Sequence, residues 1–91
     1  MQTKILKVVK CGEMISVKSE KSEGGQLNKR NIVLKELGGK YEDEYAASLL
    51  GNAASLQFYE NDLVTVTLRF STHEHQGSVY QDITVSEIVK L

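Results

Sequence analysis

The chain has 91 residues, 41 % of them hydrophobic and 25 % charged, and a formal net charge of -1. That is enough for one domain, residues 1–91, with a modest core, and leaves no room for a second. No run approaches the ~20 apolar residues of a membrane span. Lysines interleave with aliphatics over Met1–Lys10, unlike a secretory signal, and the lone Cys11 excludes an internal disulfide or a cysteine–zinc domain. The expected compartment is the cytoplasm.

From Lys4 to Val17 the apolar residues Ile5, Leu6, Val8, Val9, Met14, Ile15 and Val17 surround Cys11-Gly12. Their phase slips near the glycine, which predicts one long strand with a bulge or bend at Gly12. Lys18 to Gln26 contains no apolar residue and reads as a loop. Asn28 to Leu37 alternates again, with Arg30, Ile32 and Leu34 on one phase and Lys29, Asn31, Val33 and Lys35 on the other. Gly38-Gly39 is a hairpin-turn signal, because glycine tolerates positive φ. Tyr41 to Leu49 reads as a third strand, weakened at its start by Glu42-Asp43-Glu44.

At Gly51 the period changes. Asn52 can cap a short helix that would set Leu49, Ala53 and Leu56 on one face. Glu60-Asn61-Asp62 is a turn. Leu63 to Ser71 gives the clearest strand, with Val64, Val66, Leu68 and Phe70 on one side and Thr65, Thr67, Arg69 and Ser71 on the other. His73 to Ser78 is expected to be a loop with Gly77 at its tight position. The last strand runs from Val79 to about Val89; Gln81, Ile83 and Val85 share a phase, and Ile88 implies a second slip. An all-β chain in the order strand, strand, strand, short helix, strand, strand is the order of the five-stranded OB-fold Greek-key barrel, with its helix between strands three and four.

Charge is distributed unevenly. Residues 1–40 hold nine basic and four acidic groups, a sum of +5, whereas residues 41–91 hold two basic groups against eight acidic ones, a sum of -6. Lys7, Lys10, Lys18, Lys21, Lys29, Arg30 and Lys35 fall on the first two strands and their loop. OB domains take oligonucleotides on the face of their second and third strands, flanked by the first and last hairpin loops, so this set is a candidate nucleic-acid contact. The bland alternative is a solvated face. Tyr41 and Tyr45, four apart, and Tyr80 after the last loop are candidates for stacking on bases, or for capping the core with a wet hydroxyl. Phe58, Tyr59 and Phe70 read as packing residues.

His73-Glu74-His75 offers two imidazoles on one side of a strand, but no convincing further ligand accompanies them, so no metal is expected. As loop residues they would touch a ligand backbone, or nothing. Cys11 reads as a small buried hydrophobe. Gly24-Gly25 lacks the ending of a phosphate loop, and no nucleophile–base pair stands out, so neither an enzyme nor a cofactor is expected.

Ala47-Ser48-Leu49-Leu50-Gly51, Glu60-Asn61-Asp62-Leu63-Val64-Thr65-Val66 and Gly77-Ser78-Val79-Tyr80-Gln81-Asp82-Ile83-Thr84-Val85 together resemble bacterial single-stranded DNA-binding proteins and their small OB relatives, over roughly residues 46–91. The resemblance implies single-stranded DNA as partner in replication, recombination or repair, and a homo-oligomer (dimer or tetramer) joined through strand edges. The chain has no tryptophan, and Leu50 and Glu44 stand where that family often has aromatics. These departures imply weak stacking. They keep open a second reading, a protein-interaction or assembly module that has lost DNA binding.

Overall fold

The computed structural model describes residues 1–18 and 25–91. Five strands, β1 (Gln2–Lys18), β2 (Gln26–Glu36), β3 (Glu44–Leu50), β4 (Leu63–His75) and β5 (Ser78–Lys90), close into a barrel in the order β1-β2-β3-β5-β4. All contacts are antiparallel except β3 with β5, which run parallel and share the single bridge Ser48–Thr84. Among the described residues no helix is long and apolar enough to cross a membrane.

Period-two alternation decides which side chains enter the barrel. Leu6 and Val8 of β1, Ile32 and Leu34 of β2, Ala47 and Leu49 of β3, Val64, Val66 and Leu68 of β4 and Val85 of β5 are all buried. Ala54 and Phe58, from the β3–β4 connection, complete the same cluster. The segment before β4 is tied to β1: the Val8 N–H donates to Asp62 O and the Asn61 N–H to Val8 O, each at 2.8 Å.

The slip anticipated at Gly12 is present, between Cys11 and Met14, and a second bulge at Val9 precedes it. A Cβ on Gly12 would lie 3.1 Å from the Asn31 carbonyl oxygen, so the close approach of β2 suits glycine there. The slip anticipated near Ile88 is the extra residue Ser86, since Thr67 faces Glu87 while Leu68 faces Val85. Cys11 is partly buried against the core.

Strands β1 and β2 start two residues before the sequence reading puts them, and larger differences lie in the connections. The β2–β3 connection spans residues 37–43 and is not a two-residue turn at Gly38-Gly39. Strand β3 begins at Glu44, and Tyr41 lies outside it. The helix expected after Asn52 is one 3-10 turn, Gly51–Ser55, that Asn52 does not cap; Leu56 is exposed rather than aligned with Leu49. Strand β4 continues through His73 and His75, and the only unpaired residues before β5 are Gln76 and Gly77, both at positive φ (52° and 81°). Such a turn matches the right-handed twist of its strands, which allows the hairpin to project as a long two-stranded arm.

Candidate nucleic-acid interface

The residues opposite in phase to the core form the outer face of β1, β2 and β3. Across β1 and β2, Lys7 faces Lys35 and Lys10 faces Val33; across β2 and β3, Lys29 faces Leu50, Asn31 faces Ser48, Val33 faces Ala46 and Lys35 faces Glu44. The bulge at Val9 matters here, because it returns Lys10 to the outer side after Val8 has entered the core. Lys7 and Lys35 are directly opposed, where like charges repel. Among the described residues the ion pairs closer than 4.0 Å are Lys4–Glu36, His73–Asp82 and Lys90–Asp62, so Lys7, Lys10, Lys29 and Lys35 have no carboxylate partner there. The Lys35 ammonium donates to the Lys40 carbonyl at 3.1 Å. Glu44 and Glu60 share with Lys7, Lys35 and Asn61 a shallow cleft of about 150 Å3, which tempers the positive potential at this end.

Two of the sequence candidates lie elsewhere. Arg30, a neighbour of Lys29 in the basic set, points to the barrel side, opposite Leu49. Its Nε donates to Ala54 O at 2.9 Å and its Nη1 to Gly12 O at 2.8 Å, so it clamps the 3-10 turn to the β1 bulge. Lys18 ends β1 opposite Gln26, at the far end of the first hairpin. Lys21 and the middle of the Lys18–Gln26 loop lie outside the described residues.

The aromatic candidates separate as well. Tyr41 is 89 % exposed in the β2–β3 connection, with the Lys40 ammonium 5.6 Å from its ring centroid. Tyr45 is on the barrel side, edge-on to Phe70 at 6.4 Å, with its hydroxyl donating to Glu36 at 2.9 Å. Phe58 is buried as expected, whereas Tyr59 is exposed. On the outer side of the β4–β5 arm His73 stacks on Tyr80 (5.3 Å, 21°) and its Nδ1 lies 2.6 Å from Asp82 Oδ2. His75 is opposite Ser78 at the arm's tip. Following the Ser48–Thr84 bridge, this arm continues past the Glu44 end of β3, while the first hairpin continues past the Leu50 end. The arms therefore bracket the β2–β3 face from opposite ends. Among the described residues no group of three or more His, Cys, Asp or Glu side chains gathers at metal-binding spacing.

At that barrel end Lys4 Nζ lies 2.8 Å from Glu36 Oε1, which also accepts from Tyr45. The hydrogen bond from Lys4, then that from Tyr45, holds the Glu36 carboxyl below its usual range. The same carboxylate raises Lys4 and Tyr45 above theirs. Lys4 is thereby paired with Glu36 rather than standing among the unpaired lysines of the outer face. Sequence reasoning did not single out Asn31 and Ser48, which the register brings onto the lysine face, or Lys40, whose carbonyl accepts from Lys35. The signal for Asn31 was its shared phase with Lys29 and Lys35; none existed for Ser48, whose partner strand lies across a loop.

The sequence matches no family model and no curated protein. The solution structure of the second OB-fold domain of replication protein A from Methanococcus maripaludis superposes with a TM-score of 0.73, at 16 % identity, over 98 % of this chain and 81 % of that one. The fold is the OB fold. Covering 98 % of the chain, the likeness is not confined to residues 46–91, the span of the resemblance to bacterial single-stranded DNA-binding proteins. It supports the OB class and does not single out the bacterial branch.

Proposed function

We propose that this OB domain is a non-catalytic module that binds single-stranded DNA across the outer face of β1, β2 and β3, in replication, recombination or repair. The observation that carries the reading is the opposed pair Lys7–Lys35, with Lys10 and Lys29 on the same face and no carboxylate partner for any of them among the described residues. Phosphates between such lysines relieve their repulsion and release counterions. Tyr41, and the His73–Tyr80 stack with His75 beyond it, supply stacking surfaces at one end of the face; Lys18 supplies charge at the other. Arg30 is left out of the contact set. The comparison domain belongs to a protein of replication, which supports the reading through its fold.

A second reading, an assembly module, is favoured by one feature: the outer side of β3 presents Glu44, Ala46, Ser48 and Leu50, without an aromatic. The two separate on fluorescence-anisotropy titration of a labelled oligo-dT of about 30 nucleotides, since base stacking is worth ~1–3 kcal/mol per base. Binding that weakens in Lys10→Ala/Lys35→Ala supports the first reading; no binding at low salt with micromolar protein refutes it. Self-association belongs to the same proposal, because linked sites raise avidity without new contacts.

A further inference from the structure

Inside the barrel the apolar phase of β1 and β2 points to the core, through Leu6 and Val8 and through Ile32 and Leu34. Past the slip at Gly12 it largely reverses. Met14 pairs with Arg30, Ser16 with Asn28 and Lys18 with Gln26 on the side that continues the barrel interior. Ile15 pairs with Lys29 and Val17 with Leu27 on the side that continues the lysine face. Leu50 of β3 stands on that same side, opposite Lys29. Four of these five outer residues, Ile15, Val17, Leu27 and Leu50, are aliphatic, in a chain that is only 41 % hydrophobic. Ile15 is 51 % exposed. The other three are half-buried, and the Leu27 Cδ1 lies 3.7 Å from the place a Cβ on Gly51 would take. The core lies on the opposite side, so core packing does not account for the reversal.

We infer that this aliphatic end of the face reads the C5-methyl group of a thymine, and so selects thymine-bearing strands. Lys29 identifies the occupant. Ile15 and Leu50 lie one strand away from it on either side, about 4.8 Å. Its half-buried stem runs between them while its ammonium keeps to water. A phosphate held by that ammonium brings its base down on an aliphatic side chain in either direction. Continuity gives the same answer. A strand that passes Lys35 and Lys10 and follows β2 reaches Lys29 and this end about 20 Å further on. None of the five residues is aromatic. Aromatic rings stack on any base, whereas aliphatic side chains reward the base edge that carries a methyl group, which is thymine's.

Methyl recognition rests on the single-strand reading above, and one titration separates the two. Oligo-dT and oligo-dU of about ten nucleotides, a length one OB domain can cover, differ only in the methyl group. Fluorescence anisotropy with the full chain should show oligo-dT bound about fourfold more tightly, the worth of one buried methyl. Ile15→Thr/Leu50→Thr, which keeps residues suited to strands, should bring that ratio close to one. Ile15→Thr alone, at an exposed position, should bring it part of the way. Lys10→Ala should weaken both strands by the same factor and leave the ratio unchanged. Equal binding of the two strands by the wild type overturns the inference and leaves the lysine face standing. So does a preference that survives Ile15→Thr/Leu50→Thr, or a variant that weakens both strands equally. No binding of either strand refutes the single-strand reading, and methyl recognition with it.

Discussion

Lys29 and Arg30 are neighbours in sequence and opposites in role, because consecutive side chains of a strand face opposite sides. Lys29 is on the outer face, opposite Leu50, and Arg30 on the barrel side, opposite Leu49. Replacing Arg30 with Ala removes charge-assisted bonds to Ala54 O and Gly12 O, at a cost of roughly 1.5–3 kcal/mol. Urea unfolding should show that loss, while Lys29→Ala should leave stability within about 0.5 kcal/mol. The Lys4–Glu36–Tyr45 group sets a pH dependence. Glu36 is lowered, so its contribution is complete above the unfolded carboxyl value of 4.5 and is lost as pH falls through its folded value. Lys4 and Tyr45 are raised, so theirs is complete below 10.5 and 10.0 respectively and is lost as pH rises through their folded values. Thermal melts of wild type and Glu36→Gln should therefore differ most between those limits and converge in acid. Equal separation at every pH would show that the group carries no linkage.

At the scale of elements, alternation made most of the strands legible and the turns less so. Val64, Val66 and Leu68 are spaced for a one-sided strand and are buried as that spacing requires. The slip at Gly12 could be read because phase changed around a residue without a side chain; the bulge at Val9 hid among consecutive aliphatics. Tyr41 belongs to the β2–β3 connection and not to β3, and Glu42 and Asp43, which weaken the strand pattern after it, mark that connection. The β4–β5 turn is shorter than the polar run suggests, because His73-Glu74-His75 has no apolar alternation although it pairs with Tyr80, Val79 and Ser78 across the arm. That turn gives a prediction. Gln76→Asn should stabilise the chain by a few tenths of a kcal/mol, since asparagine tolerates positive φ better than glutamine. Gly77→Ala should cost about 1 kcal/mol. Chemical denaturation reads both, and the reverse order would contradict the turn geometry.

For the whole molecule, net charge was a poor guide and the distribution of charge a better one. The -1 total conceals a +5 segment, and closing the barrel sorts that segment. Lys7, Lys10, Lys29 and Lys35 come to one face, Arg30 and Lys4 turn to the barrel side, and Lys18 moves to the arm. No linear pattern shows this sorting, because it depends on a bulge and on pairing across two strands. The most direct test is the salt dependence of oligo-dT binding. Contact through those four lysines requires log K to fall against log salt with a slope of about -3, and each Lys→Ala change to reduce the slope by about 0.7. Arg30→Ala, measured well below its melting temperature, should leave the slope unchanged. Binding that is indifferent to salt, or a slope that falls in Arg30→Ala but not in Lys10→Ala or Lys35→Ala, would contradict the assignment of the lysine face.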